Sequence, residues 1–141
     1  AAAPSPSSPP AGIELPPLRI IHVEDNALNR SLVEALFAAY PQVQLSSFPT
    51  ASQGLAAIQG EMPDVALVDI NLPDGSGLDL CRTLRASPLT RRVPLIALSG
   101  DALPDHIARA LQAGFNHYLV KPIQLQRLLG ILAGIPANPP R

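Results

Sequence analysis

One segment constrains the fold of this chain more than any other, because an apolar run ends there on a carboxylate and a turn. Residues 65–68 are apolar, Asp69 follows them, and the turn Pro73-Asp74-Gly75 cannot continue a strand. Asp69 is therefore predicted at the carboxyl end of a strand. Ligands of open α/β sheets bind just outside the carboxyl ends of the strands, so this acid is placed for chemistry.

Three further apolar segments end on polar side chains in the same way. Residues 18–23 lead to Glu24-Asp25, residues 93–98 lead to Ser99, and residues 117–120 lead to Lys121. Together the four ends offer three carboxylates, one hydroxyl and one ammonium group. Lys121 is the only lysine in the chain, whose other nine basic residues are arginines.

Helical spacing of apolar residues separates these strands. Helices are predicted from Leu28 to Tyr40, from a capping box at Thr50 to a stop at Gly60, over 77–86, over 104–114 and over 123–131. Five strands alternating with five helices predict an α/β fold, a flavodoxin-like doubly wound (βα)5 parallel sheet with strand order 2-1-3-4-5. In that order the first and third strands are neighbours, so the carboxylates should meet.

Length and composition limit the domain count and the kind of partner. The 141 residues fit one domain, predicted over 18–132, with a Pro/Ser/Ala-rich linker over 1–17 and a flexible tail over 133–141. A net charge of −1 gives no basic surface for nucleic acid, and no apolar run approaches the ~18 residues of a membrane span. The single cysteine, Cys81, excludes an internal disulfide and favours a cytoplasmic location.

Each polar residue also has an ordinary structural explanation. Glu24 and Asp25 could open a helix, Asp69 could form an Asx turn, Ser99 could cap a helix, and Lys121 could be a solvated charge. Their coincidence at one edge favours a site instead. Carboxylates ~4 Å apart repel by ~4 kcal/mol per pair at an effective dielectric of ~20, so three of them require a cation, for which Mg²⁺ is the best match.

These residues resemble the response-regulator receiver domain, and the resemblance covers nearly everything from Leu18 to Leu132. It rests on the acid pair Glu24-Asp25, on Asp69, Ser99 and Tyr118, and on Lys121-Pro122. The resemblance implies that Asp69 is the phosphoacceptor. It also implies that Mg²⁺ is held by Asp25, Asp69 and the backbone carbonyl of Asn71, with Glu24 acting through water.

The same resemblance assigns further roles. It implies that Ser99 and Tyr118 form a conformational switch, that Lys121-Pro122 is a cis peptide, and that Asn71 and Asp101 tune the lifetime of the phosphoryl group. Two positions depart from the family pattern: His22 stands where most relatives carry an aliphatic residue, and Gly100 stands where Ala is frequent.

The segment 23–30 is similar to receivers of hybrid histidine kinases. We therefore expect a phosphorelay receiver that catalyses its own phosphorylation, takes a phosphoryl group from a histidine of a kinase core and passes it to a histidine-phosphotransfer domain. An alternative is a receiver that docks allosterically on an adjoining kinase without onward transfer. A phosphohydrolase is less favoured, because Asn71 stands where a second acid would be needed and no Gly-rich phosphate loop follows the first strand.

Overall fold

The computed structural model describes residues 14–135, in which strands and helices alternate along the chain. The elements are β1 (Leu18–Val23), α1 (Ala27–Phe37), β2 (Val43–Phe48), α2 (Ala51–Glu61), β3 (Val65–Asp69), α3 (Gly77–Ala86), β4 (Leu95–Ser99), α4 (Pro104–Ala113), β5 (His117–Val120) and α5 (Leu125–Ala133). The five strands form one parallel sheet in the order β2-β1-β3-β4-β5. The predicted doubly wound architecture and strand order are confirmed.

The register of the sheet brings the ends of the strands into line. Val23 at the end of β1 lies beside Val68 of β3, Asp69 lies beside Leu98 of β4, and Ser99 lies beside Val120 of β5. The polar residues that end or follow these strands therefore lie along one edge of the sheet. A two-residue antiparallel pair, Asn71–Leu72 with Gly75–Ser76, folds the loop after β3 back on itself.

Alternate side chains of the strands pack into two hydrophobic cores, one on each face of the sheet. In β1, Ile21 and Val23 enter one core and Leu18 and Ile20 enter the other. Every residue of β3 and β4 is buried, as expected for central strands with helices on both faces. The cores fix the sheet, so the position of the polar edge does not depend on the polar residues themselves.

The sequence predicted both ends of α2, and only the predicted start is confirmed. Thr50 caps α2 through its side chain, which accepts from the Gln53 amide, as the capping box predicts. The predicted stop at Gly60 is wrong: α2 runs on to Glu61, and Met62 takes the left-handed conformation at φ 50°. Glycine permits a helix end but does not require one, and Met62 completes the turn by donating its amide to the Ile58 carbonyl.

The predicted terminal segments lie largely outside the described residues, since 1–13 and 136–141 are not described. Within the described part, Leu15 is buried in the core on the α1 and α5 side, and the Gln42 side chain donates to its carbonyl at 3.0 Å. The proposed domain bounds of 18–132 stay a prediction. No helix within residues 14–135 has both the length and the apolar character needed to cross a bilayer.

At the sheet edge opposite the polar residues, one arginine joins several segments. Arg85 of α3 donates to the carbonyls of Gly114, Arg91 and Val93 at 2.7–2.9 Å and to the Asn116 side chain at 2.9 Å. These acceptors lie at the end of α4 and in the loops that enter β4 and β5. A single guanidinium thus fixes the start of two strands.

We expect Arg85→Met to lower the free energy of unfolding by about 2–4 kcal/mol, because four acceptors lose a charged donor. Urea denaturation monitored by circular dichroism measures the change. The matched control is Arg82→Met on the same helix, because Arg82 forms an exposed pair with Asp79 and no other hydrogen bond within residues 14–135; the expected change is about 0.5 kcal/mol or less. Equal losses in the two variants would contradict the role assigned to Arg85.

Candidate functional site

The centre of the polar edge is a lysine that bridges two buried carboxylates. Lys121 Nζ lies 2.6 Å from Glu24 Oε1 and 2.8 Å from Asp69 Oδ2. The Glu24 and Asp69 side chains are only 1% and 7% exposed, whereas the Lys121 side chain is 24% exposed. The chain's only ammonium group therefore reaches inward from the surface and faces acids that come from two different strands.

Asp25 completes an acidic cluster with these two residues. Glu24, Asp25 and Asp69 each offer a carboxylate oxygen, and the three oxygens lie within 4.8 Å of one another. Asp25 is exposed, so the cluster opens to solvent on its side. Closely spaced carboxylates that include an exposed member suit a hard divalent cation that keeps some of its water, as Mg²⁺ does. The residues present fit such an ion.

The loop after Asp69 is held on both sides of Asn71. The Asn71 amide donates to Asp69 Oδ1 at 2.9 Å. Further along, Asp74 accepts from the Ala51 and Ser52 amides at 2.7 and 3.0 Å, which ties the loop to the first turn of α2 and lowers the pKa of Asp74. The loop that leads away from the acid is thus anchored independently of any ion.

Gly77 allows this loop to close tightly. Its amide donates to the Ile70 carbonyl at 2.8 Å, and a Cβ at this position would lie 2.4 Å from the Asp69 carbonyl oxygen. Any side chain here would displace the backbone that carries Asp69. A glycine at the start of α3 is therefore a requirement of the acidic site, which the sequence pattern alone did not reveal.

The first turn of α1 supports the acids that follow β1. Asn29 donates its side-chain amide to Glu24 Oε1 at 3.1 Å, and Arg30 donates to the carbonyls of Glu24 and Asp25 at 2.8 Å. Asn26 caps the helix by accepting from the Asn29 amide. The sequence analysis included Asn29 and Arg30 in the segment 23–30 but gave them no role in supporting the acids, although two polar residues within one helical turn of an acid pair are a usable signal.

Ser99 and Tyr118 converge on the loop between β4 and α4. The Asp101 amide donates to the buried Ser99 Oγ at 3.1 Å, and the Tyr118 hydroxyl donates to the Asp101 carbonyl at 2.7 Å. The Asp101 carboxylate pairs with His106 Nδ1. Lys121 donates its backbone amide to the Ser99 carbonyl, and the Lys121-Pro122 peptide bond is cis. Ser99 and Tyr118, the two residues predicted to form a switch, are therefore connected through the backbone of Asp101.

The acids and the lysine perturb one another. Burial, reinforced by the neighbouring Glu24, raises the pKa of Asp69 to about 6. Burial also acts to raise the pKa of Glu24, but hydrogen bonds from Asp69, Lys121 and Asn29 outweigh it, so that pKa is lowered. The pKa of Lys121 is raised, since its bonds to the carboxylates outweigh burial. Without a metal, Asp69 is therefore protonated mainly below about pH 6, and in that range a metal must displace the proton.

His22 lies beneath this pocket with its side chain buried. It is 1% exposed, and burial together with the Lys121 charge lowers its pKa to about 4, so the imidazole is neutral at ordinary pH. Cys81, by contrast, lies in the core on the opposite face of the sheet and plays no part in the pocket.

The fold and the pocket define a class of protein that comparison with known families supports. Residues 20–133 match the response regulator receiver domain, and the chain belongs to that family. The BarA histidine-protein kinase of Shigella flexneri is 33% identical over 119 residues, which are 82% of this chain and 12% of the kinase. The response regulator DivK of Brucella anthropi is 32% identical over 118 residues, 80% of this chain and 91% of DivK.

Solved structures agree with this assignment. A response regulator of Chloroflexus aurantiacus has a TM-score of 0.78 at 25% identity, covering 85% of this chain and 98% of that one. The receiver domain of a Pseudomonas aeruginosa sensor histidine kinase, solved with magnesium in its active-site cleft, has a TM-score of 0.73 at 33% identity, covering 83% and 98%. The predicted family is confirmed. Against BarA, however, this chain spans only a small part of a much longer protein.

In a metal-free buffer, the free energy of unfolding of the wild type should fall relative to that of Asp69→Asn as pH rises from about 4 to about 6. Over that window folded Asp69 keeps a proton that the unfolded chain, with a pKa of 3.8, has already lost. The loss should be about 1–3 kcal/mol relative to Asp69→Asn, which cannot titrate there. Urea denaturation at stepped pH in EDTA measures it.

Two controls complete this measurement. Asp79→Asn, an exposed acid of α3, should keep the wild-type dependence on pH. Added Mg²⁺ should reduce the difference between wild type and Asp69→Asn above pH 6, because the ion compensates the charge. A pH dependence identical in wild type and Asp69→Asn would refute the raised pKa of Asp69.

Proposed function

We propose that this domain is a phosphorelay receiver that accepts a phosphoryl group from a phosphohistidine onto Asp69. The observation that carries the proposal is the convergence on Asp69 of the half-buried Lys121 ammonium group and two further carboxylates. In-line phosphoryl transfer requires mainly positioning and neutralisation of charge, and both are available here. A phosphohydrolase is not favoured, since Asn71 stands where such an enzyme would need a second acid.

In this proposal Mg²⁺ is held by Asp25, Asp69 and the backbone carbonyl of Asn71, with Glu24 acting through water. The ion supplies neutralising charge for the phosphoryl oxygens and for the acids. Asp69 attacks phosphorus; the new P–O bond forms as the P–N bond to the donor imidazole breaks, and the imidazole keeps the electron pair. Lys121 then exchanges a carboxylate partner for a phosphoryl oxygen.

The response to phosphorylation would run through Ser99. Its hydroxyl would turn from the Asp101 amide to the phosphoryl group, which would loosen the loop that holds the Tyr118 hydroxyl. A hydrogen bond contributes about 0.5–1.5 kcal/mol, whereas reversal of a roughly 1:99 equilibrium needs about 5.5 kcal/mol. Ser99, Lys121 and the ion must therefore act together on α4, β5 and α5. Asn71 and Asp101, which flank the pocket, would set the phosphoryl lifetime.

The acceptor assignment predicts that acetyl phosphate with Mg²⁺ adds one phosphoryl group to the wild type and none to Asp69→Asn. Intact mass spectrometry at short incubation times measures the addition. Asp79→Asn should be labelled like the wild type, and EDTA should abolish labelling. Labelling of Asp69→Asn at the wild-type level would rule out Asp69 as the acceptor.

The surface of α1 supports contact with a partner protein. Leu28 and Leu32 were expected on the apolar face of this helix, but they are 68% and 59% exposed. They follow closely on the acid pair, so two apolar contacts lie beside the pocket that a phosphohistidine must reach. A histidine kinase core or a histidine-phosphotransfer domain is the proposed partner, in the cytoplasm and without nucleic-acid or membrane contact by this domain. Hybrid kinases among the relatives, BarA and the sensory protein RpfC, support this partner class.

Phosphoryl transfer to isolated histidine-phosphotransfer domains distinguishes relay from docking. Radiolabelled wild type should pass its label to at least one domain of a panel. Leu28→Glu with Leu32→Glu should slow that transfer by about tenfold or more while acetyl phosphate still labels Asp69, because only the contact surface has changed. Release of the label exclusively as inorganic phosphate, with every domain tested, would favour the docking alternative.

A further inference from the structure

A cavity of about 310 Å³ lies between α1 and α5, directly behind the acidic pocket. Its wall is mainly apolar and reaches the sheet, where Leu98 is fully buried; Val33 and Leu128 are buried beside it, and exposed Leu32 stands at its mouth. A few hundred cubic ångströms of mainly apolar space with a small number of polar groups is typical of small-molecule sites.

The polar end of the cavity contains an unsatisfied side chain. His22 lines the cavity and is 1% exposed, yet neither Nδ1 nor Nε2 has a hydrogen-bond partner within residues 14–135. Buried polar groups are nearly always paired, so a buried imidazole in the wall of a cavity with both nitrogens unpaired points to a missing partner. The other polar wall residues, Glu24, Asn29 and Lys121, are already bonded to one another.

We propose that this cavity binds a small uncharged molecule with an apolar body and one hydroxyl group, and that the hydroxyl pairs with His22. A hydroxyl both donates and accepts, so it suits either nitrogen of a neutral imidazole. An anionic head is disfavoured, because Glu24 and Asp69 lie close by and Lys121 is already shared between them. The volume matches a molecule of roughly 10–15 non-hydrogen atoms, since a water molecule takes ~30 Å³ of liquid.

The surroundings explain why a small molecule is favoured over a partner protein's side chain. His22 lies at the inner end of the cavity, on a central strand of the sheet. The apolar residues that a protein surface would meet first are Leu28 and Leu32, on the outside of α1. Leu28 does not line the cavity. The inner site and the outer surface can therefore be tested with separate substitutions.

The test is an NMR titration of the metal-free domain with hydrocinnamyl alcohol, observed through the methyl resonances of Val33, Leu98 and Leu128. We expect saturable shifts at these methyl groups and at least about tenfold weaker binding of hydrocinnamate, which carries a carboxylate in place of the hydroxyl. His22→Leu should lower the affinity for the alcohol by about fivefold or more and leave the affinity for propylbenzene unchanged, because only the hydrogen bond is lost.

Two variants separate the cavity from the outer surface of α1. Leu36→Phe narrows the cavity and should abolish binding of the alcohol, whereas Leu28→Phe, on the exposed side, should leave it intact. Absence of saturable shifts up to the solubility limit would overturn the proposal and leave a cavity that holds only water. Equal binding of alcohol and carboxylate, or unchanged binding by His22→Leu, would equally overturn the role given to His22. EDTA is present throughout, so none of these outcomes depends on phosphoryl transfer.

Discussion

The charge balance of the polar edge depends on one interaction, the contact of Lys121 with two buried carboxylates. Burial of Glu24 and Asp69 side by side is unfavourable unless their charge is compensated. The ammonium group provides this at 2.6 and 2.8 Å. The compensation is incomplete, since the pKa of Asp69 is still raised to about 6. The remaining excess of negative charge would favour a divalent cation in the site.

The residues that stabilise the sheet and the residues proposed to react lie at opposite edges of the sheet. At the amino ends of β4 and β5, Arg85 donates to four uncharged acceptors. At the carboxyl ends, Glu24 and Asp69 compete for one lysine. Two complete hydrophobic cores hold the strands between these edges. The sheet can therefore tolerate unfavourable electrostatics at the edge where the proposed reaction takes place.

Much of this arrangement could be predicted from the sequence, because apolar runs that end on polar residues report strand ends directly. The strand order followed from the alternation of elements, and it placed the residues after β1 and β3 together. The stop at Gly60 was wrong because helix ends depend on the local backbone, where Met62 completed the turn. Exposure of Leu28 and Leu32 was missed, since spacing shows which residues share a helix face but not how far a neighbouring helix covers it. The bond from the Asn29 side chain and the close approach at Gly77 could not be predicted from the sequence. Both depend on interatomic distances that must be right to within a few tenths of an ångström.

The bonds from Asp74 to the first turn of α2 have a consequence for the entropy of ion capture. Both oxygens of this side chain are used, so the segment between Asp69 and Asp74 is fastened at its two ends. The backbone around Asn71 then has few alternative conformations to lose when a cation arrives. The hydrogen bonds between Asp74 and the first turn of α2 lie outside the acidic site, yet they preorganise the loop that carries Asn71.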